Sequence, residues 1–120
     1  MRIFKNKWFM RFAQKNGISD DELKDIVGIL EAGQTDVDLG GGVYKQRVAR
    51  PGEGKSGGYR VIVFFKSGTR TFFVYGFAKS DQDNISGKEL QKDKKMAQSL
   101  FLLTDKQLDE LVAMGEYNEI

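Results

Sequence analysis

The sequence predicts an α+β protein: a small three- to four-stranded antiparallel sheet with two N-terminal helices and C-terminal helices, forming one domain over residues 1–120. Three observations carry this. Apolar residues recur at helical spacing before Gly33, three β-type runs lie between Val43 and Phe77, and helix-start signals return at Ser86 and Thr104. A chain of 120 residues is long enough for one hydrophobic core and short for two. Nine Phe and a single Pro supply core material and argue against disorder.

Phe4, Trp8, Phe9 and Phe12 fall at helical spacing, and Asn16-Gly17 provides the left-handed stop of a first helix. Ser19-Asp20-Asp21-Glu22 has capping-box form, and Leu23, Ile26, Val27 and Leu30 follow on one face until Gly33. From Gln34 to Gly42 the polar, glycine-rich QTDVDLGGG reads as a connector. Strands are expected at Val43 to Ala49, Tyr59 to Lys66 and Arg70 to Phe77, with Ser67-Gly68-Thr69 as a tight hairpin between the last two. Ser86-Gly87-Lys88-Glu89 starts a helix through Leu90, Ala97, Leu100 and Phe101. Thr104 to Gln107 starts a shorter one that stops at Gly115.

The absence of both cysteine and histidine narrows the chemistry. It excludes disulfides, thiolate metal sites, the commonest zinc ligands, the Ser-His-Asp and Cys-His triads and the usual general base of nucleases. Catalysis would fall to Lys, Arg, Tyr and carboxylates, and no metal or other cofactor is expected. No apolar run approaches membrane-spanning length and no apolar h-region follows Lys5, Lys7 and Arg11, so the expected location is cytoplasmic, with no membrane partner.

The net charge is +2, but it is unevenly spread. Between Val43 and Lys79 there are eight cations (Lys45, Arg47, Arg50, Lys55, Arg60, Lys66, Arg70, Lys79) against the single acid Glu53, so this segment is +7 and the remainder −5. Lys45 and Arg47 alternate to one strand face, Arg50 is expected just beyond that strand, and Arg60 lies in the opposing strand beside Tyr59. A solvated face balanced by acids from the helices would look similar. Direct opposition of like charges costs stability, however, and the scarcity of acids favours a surface that meets a polyanion. Crowded cations also disfavour one another's charge, which would lower a lysine pKa towards neutrality. Phe72, Phe73, Tyr75 and Phe77 read mainly as packing, with Tyr75 left open as a base-stacking candidate.

Ala49 to Ser56, ARPGEGKS, loosely fits a phosphate-binding loop with Ala in place of the first glycine. Such a loop needs a helix immediately after it, whereas Gly57-Gly58 and a β-run follow here. The stretch therefore reads as a basic hairpin loop from which Lys55 can reach a phosphate, and no nucleotide cofactor is expected.

Leu39 to Gly52, LGGGVYKQRVARPG, then Gly54 to Arg60, GKSGGYR, then Tyr75 to Ser80, YGFAKS, together resemble the HigB-like branch of the RelE/ParE toxins, and the likeness runs over nearly the whole chain. The resemblance implies a toxin of a type II toxin–antitoxin pair that cuts mRNA on the ribosome without a metal. The RNA 2′-hydroxyl attacks the adjacent phosphate to leave a cyclic phosphate. The family's first-strand basic pair corresponds to Lys45 and Arg47, the arginine after its Gly-Tyr to Arg60, and the basic residue after its last strand to Lys79; Arg50, Lys55, Lys66 and Arg70 would bind RNA. The C-terminal tyrosine of the best-known members has no counterpart, which leaves the general base unassigned. A small helix-turn-helix antitoxin is the implied protein partner. Two other functions share these features: a non-enzymatic gyrase inhibitor of the ParE kind, and an RNA-binding module without chemistry.

Overall fold

The computed structural model describes residues 1–50, 54–78 and 85–120, with the side chains of residues 50 and 54–57 left aside. In chain order the elements are β1 (Arg2–Asn6), α1 (Lys7–Asn16), α2 (Asp20–Glu31), β2 (Val37–Gly40), β3 (Val43–Arg50), β4 (Gly54–Lys66), β5 (Arg70–Ala78), α3 (Gly87–Leu102), α4 (Asp105–Ala113) and β6 (Tyr117–Glu119). The α+β class holds, but the sheet is larger than expected and mixed. Its six strands run β2-β3-β4-β5-β1-β6, with β1 parallel to β5 and every other pair antiparallel.

Three of these strands lie outside the three runs that the sequence marked as strands. Phe4 is in β1 rather than in the first helix: it pairs with Phe72, and the two rings stack at 5.1 Å. Its four-residue spacing to Trp8 imitates a helix, but Asn6 ends the extended segment by accepting from the Phe9 N–H at 2.8 Å, and α1 starts at Lys7. The QTDVDLGGG connector contains β2, because Gly40, Gly41 and Gly42 all adopt positive φ and turn the chain back onto β3. The short β6 pairs with β1. Arg2 secures that edge through Glu119 at 2.8 Å and Asp109 at 2.7 Å.

Helix ends follow the sequence closely. Reciprocal capping boxes form at Ser19/Glu22 and Thr104/Gln107, and Ser86 accepts from the Glu89 N–H at 3.1 Å. Gly17, at φ 67°, closes α1.

Both faces of the sheet are covered. Phe9, Ala13 and the apolar stripe of α2 pack with Val61, Val63 and Phe73 on one side. Ala97, Leu100 and Leu108 from α3 and α4 pack with Val43, Ile62, Phe64 and Phe72 on the other. This explains the nearly continuous apolar run in β4, a pattern that belongs to strands buried on two sides.

Strand β4 also begins earlier than expected. Gly54 pairs with Arg50, so Lys55 and Ser56 lie on strand backbone rather than in a loop, and Arg50 is the last residue of β3 rather than beyond it. The backbone continues extended from Gly54 to Lys66, so the phosphate-loop pattern lacks the helix N-terminus that would give it function.

Candidate active site

Alternation along β3 places Lys45 and Arg47 on the same face as Val43, and the β3–β4 register sets Arg47 opposite Arg60 and Lys45 opposite Ile62. Towards the α3 side this face is core, with Val43, Ile62 and Phe64 fully buried. Further along the same ladder it carries cations instead. Lys45, Arg47 and Arg60 line a hollow of about 270 Å³ together with Asp36 and Val37. Lys45 and Arg60 are half-buried and Arg47 is exposed.

Two arginines facing each other across a strand pair repel. Asp36 offsets this. Its carboxylate accepts from the Arg47 backbone N–H at 2.7 Å and from the guanidinium at 3.0 Å, and that hydrogen bond pushes the Arg47 pKa further up. The acid is held in turn by Gln46, which points to the opposite face, is almost wholly buried, and accepts from the Asp36 N–H at 3.1 Å. The acid that balances Arg47 thus comes from the strand-entry segment. Sequence reasoning missed Asp36, since nothing in QTDVDL marks it apart from an ordinary turn acid. Arg60 donates to the Tyr59 carbonyl at 3.3 Å.

The remaining site residues divide by position. Lys66 and Arg70 pair with each other at the opposite end of β4, some 20 Å from Arg60 at strand rise. Arg70 is engaged there with the end of α3, donating to the Leu100 and Leu103 carbonyls at 3.1 and 2.6 Å. Neither joins the hollow. Arg50 and Lys55 are placed by backbone alone, at the end of the ladder that carries Arg47 and Arg60, and Lys79 lies outside the described residues. Phe72, Phe73 and Phe77 are core, whereas half-buried Tyr75 contacts Trp8 at 4.4 Å between ring centroids. Among the described residues no group of three or more acids could hold a metal ion, and no helix is long and apolar enough to cross a membrane.

Two guanidinium forks and an ammonium on adjacent strands of an α+β protein, with a carboxylate holding the Arg47 fork, are groups that can bind a phosphate. The family model for the RelE toxin of the RelE/RelB toxin–antitoxin system matches residues 1–120, and the chain belongs to that toxin family, within the RelE/ParE superfamily. Membership implies an antitoxin partner. No curated protein matches the chain.

Proposed function

We propose that this toxin is an mRNA endonuclease of the HigB-like branch, acting on the ribosome without a metal and arresting translation. The observation that carries the reading is the convergence of Lys45, Arg47 and Arg60 in one hollow, with Arg47 and Arg60 opposed across the β3–β4 ladder. In the reaction, the RNA 2′-oxygen loses its proton and forms a bond to the adjacent phosphorus, the bond from phosphorus to the 5′-oxygen breaks, and the leaving oxygen gains a proton. The products are a 2′,3′-cyclic phosphate and a 5′-hydroxyl. Arg47 and Arg60 stay protonated and neutralise the charge that builds on the phosphorane. Lys45 can give or take a proton at the same centre. Lys79, by its place after β5, is assigned as a fourth cation, and Arg50 and Lys55 as phosphate contacts at the end of the ladder. The antitoxin, by the same resemblance, is a small helix-turn-helix protein.

Mapping mRNA 5′ ends on purified ribosomes tests this. Wild-type protein creates new ends, and Arg60→Ala lowers the cleavage rate by about 10²- to 10³-fold, the usual cost of one donor to the transition-state charge. Cleavage persists in excess EDTA, with ribosome integrity followed in parallel because ribosomes themselves require magnesium. A folded Arg60→Ala protein that cuts at the wild-type rate overturns the assignment. Inhibition of gyrase supercoiling with no new RNA ends would move the function to the non-enzymatic class.

A further inference from the structure

A larger cleft, of about 430 Å³, shares none of the hollow's residues. It opens at the edge of β5 beyond Phe73, the last β5 residue paired with β1. One wall is a single stripe of α1, because Trp8, Arg11, Phe12 and Lys15 are spaced i, i+3, i+4 and i+7. The core face of that helix, with Phe9 and Ala13, is a different one. The other wall comes from Tyr59 and from Tyr75 to Ala78.

The aromatic rings form a continuous surface. Trp8 stacks with Phe12 at 5.3 Å and 17° and contacts Tyr75 at 4.4 Å, yet it remains 42% exposed. Gly76 makes the arrangement possible, since a Cβ there would run into the Phe12 ring. The charge is as distinctive as the rings. Among the described residues no acid lines the cleft, and α1 contains none, although the chain outside residues 43–79 is net negative. Arg11 and Lys15 are exposed, and neither side chain has an ion-pair partner among the described residues.

An aromatic surface flanked by uncompensated cations is the composition that single-stranded nucleic acid requires, the rings stacking on a base and the cations meeting its phosphates. Two residues of the cleft, Tyr75 and Phe77, lie on the sheet face that carries the hollow, while α1 packs against the other face, so the cleft sits at the edge of β5 between the two. Its wall residue Phe77 pairs with Arg60, which pairs with Arg47, and Tyr75 pairs with Ile62, which pairs with Lys45. One or two strand spacings, about 5–10 Å, thus separate the backbone of Phe77 from that of Arg60 and Arg47. We propose that the Trp8 cleft is a nucleobase subsite, holding an unpaired base next to the phosphate bound at Lys45, Arg47 and Arg60, with Arg11 and Lys15 on the flanking phosphate. A volume of this size lies within the range of small-ligand sites and accommodates a nucleotide. The inference rests on the RNA-cleaving reading above.

Trp8 is the chain's single tryptophan, so its fluorescence reports the cleft directly. The probe is a labelled 2′-O-methyl oligoribonucleotide, which lacks the nucleophile and stays intact, compared with an abasic strand of the same length. Binding is followed by anisotropy of the label. The base-bearing strand quenches Trp8 saturably and the abasic strand does not. Trp8→Ala weakens binding about 5- to 150-fold, the usual range for one stacked base. Arg11→Ser with Lys15→Ser, both at exposed positions, lowers the salt slope by about 1.4. Binding without quenching, equal quenching by the abasic strand, or no binding up to roughly millimolar protein, above the usual non-specific range, overturns the proposal. So does quenching by the antitoxin alone, which would make the cleft a protein interface. Wild-type cleavage on ribosomes without Trp8 quenching removes the subsite and leaves the nuclease standing. Quenching without cleavage does the reverse.

Discussion

Asp36 receives two hydrogen bonds from Arg47 while Gln46, on the buried face, holds its backbone. Arg47 is 44% exposed, and an ion pair at such a site adds little to stability. Its effect is on orientation and charge: it aims the guanidinium beside Arg60 and offsets part of their repulsion. A phosphate entering the hollow then meets a carboxylate of its own sign. Asp36→Asn keeps the shape and removes that charge, so RNA affinity should rise about two- to fivefold, within the ~1 kcal/mol of an exposed pair, with little change in Tm. Oligonucleotide anisotropy and thermal melting check this, and a folded variant with unchanged or weaker affinity refutes it. Lys45, Arg47 and Arg60 were legible in the sequence because period-two alternation and hairpin pairing are local rules. Asp36 was not, since its role depends on where β2 begins. Counting charge along the segment groups Lys66 and Arg70 with Lys45, Arg47 and Arg60 although Lys66 lies six residues along β4 from Arg60, because such a count carries no distance.

Elements join through particular contacts, and the link from α2 to the β4–β5 turn is one. Glu31, the last residue of α2, accepts from the Gly68 N–H at 2.9 Å and from the Ser67 hydroxyl at 2.8 Å. These two bonds, that from Gly68 first, hold its carboxyl below the ordinary glutamate range. A carboxyl depressed in the folded state adds stability above its unfolded pKa, and that stability is lost as pH falls through the folded value. Glu31→Gln should therefore lower Tm at neutral pH, and the gap to wild type should narrow as pH falls below the unfolded glutamate value of about 4.3 and close once pH passes the lower folded value. A gap that shows no narrowing below about pH 4 would assign the effect to packing. Helix boundaries were legible because caps are chemical and local: Ser19, Ser86, Thr104 and Gly17 all act where the sequence placed them. Strands β1 and β6 escaped because each is short and gains its identity from a distant partner, and β2 because its four residues lie in a polar, glycine-rich stretch with no β-type pattern. Phe4 is a strand residue only because Phe72 lies beside it.

At the scale of the whole molecule, charge is sorted by region. The segment from Val43 to Lys79 is +7 and the rest −5, while the sheet that carries the cations has short edge strands of four and three residues, β2 and β6. Short edges give a partner little ladder to extend, so strand addition there is a weak route to a stable complex. The basic face is the stronger attractant, and an antitoxin that silences the toxin by covering it would present acids to Lys45, Arg47 and Arg60. Such pairing acts mainly on encounter. Association should be fast at low salt and fall about tenfold or more on reaching physiological ionic strength, where the Debye length drops to about 8 Å. The dissociation rate should change far less, because it is governed by contacts already made and partly shielded from solvent. Stopped-flow association across a salt series measures both. Arg47→Ser combined with Arg60→Ser should flatten the salt dependence while leaving the complex able to form. A salt-independent rate for the wild-type pair would show that the antitoxin seats on another face and blocks the toxin by bulk.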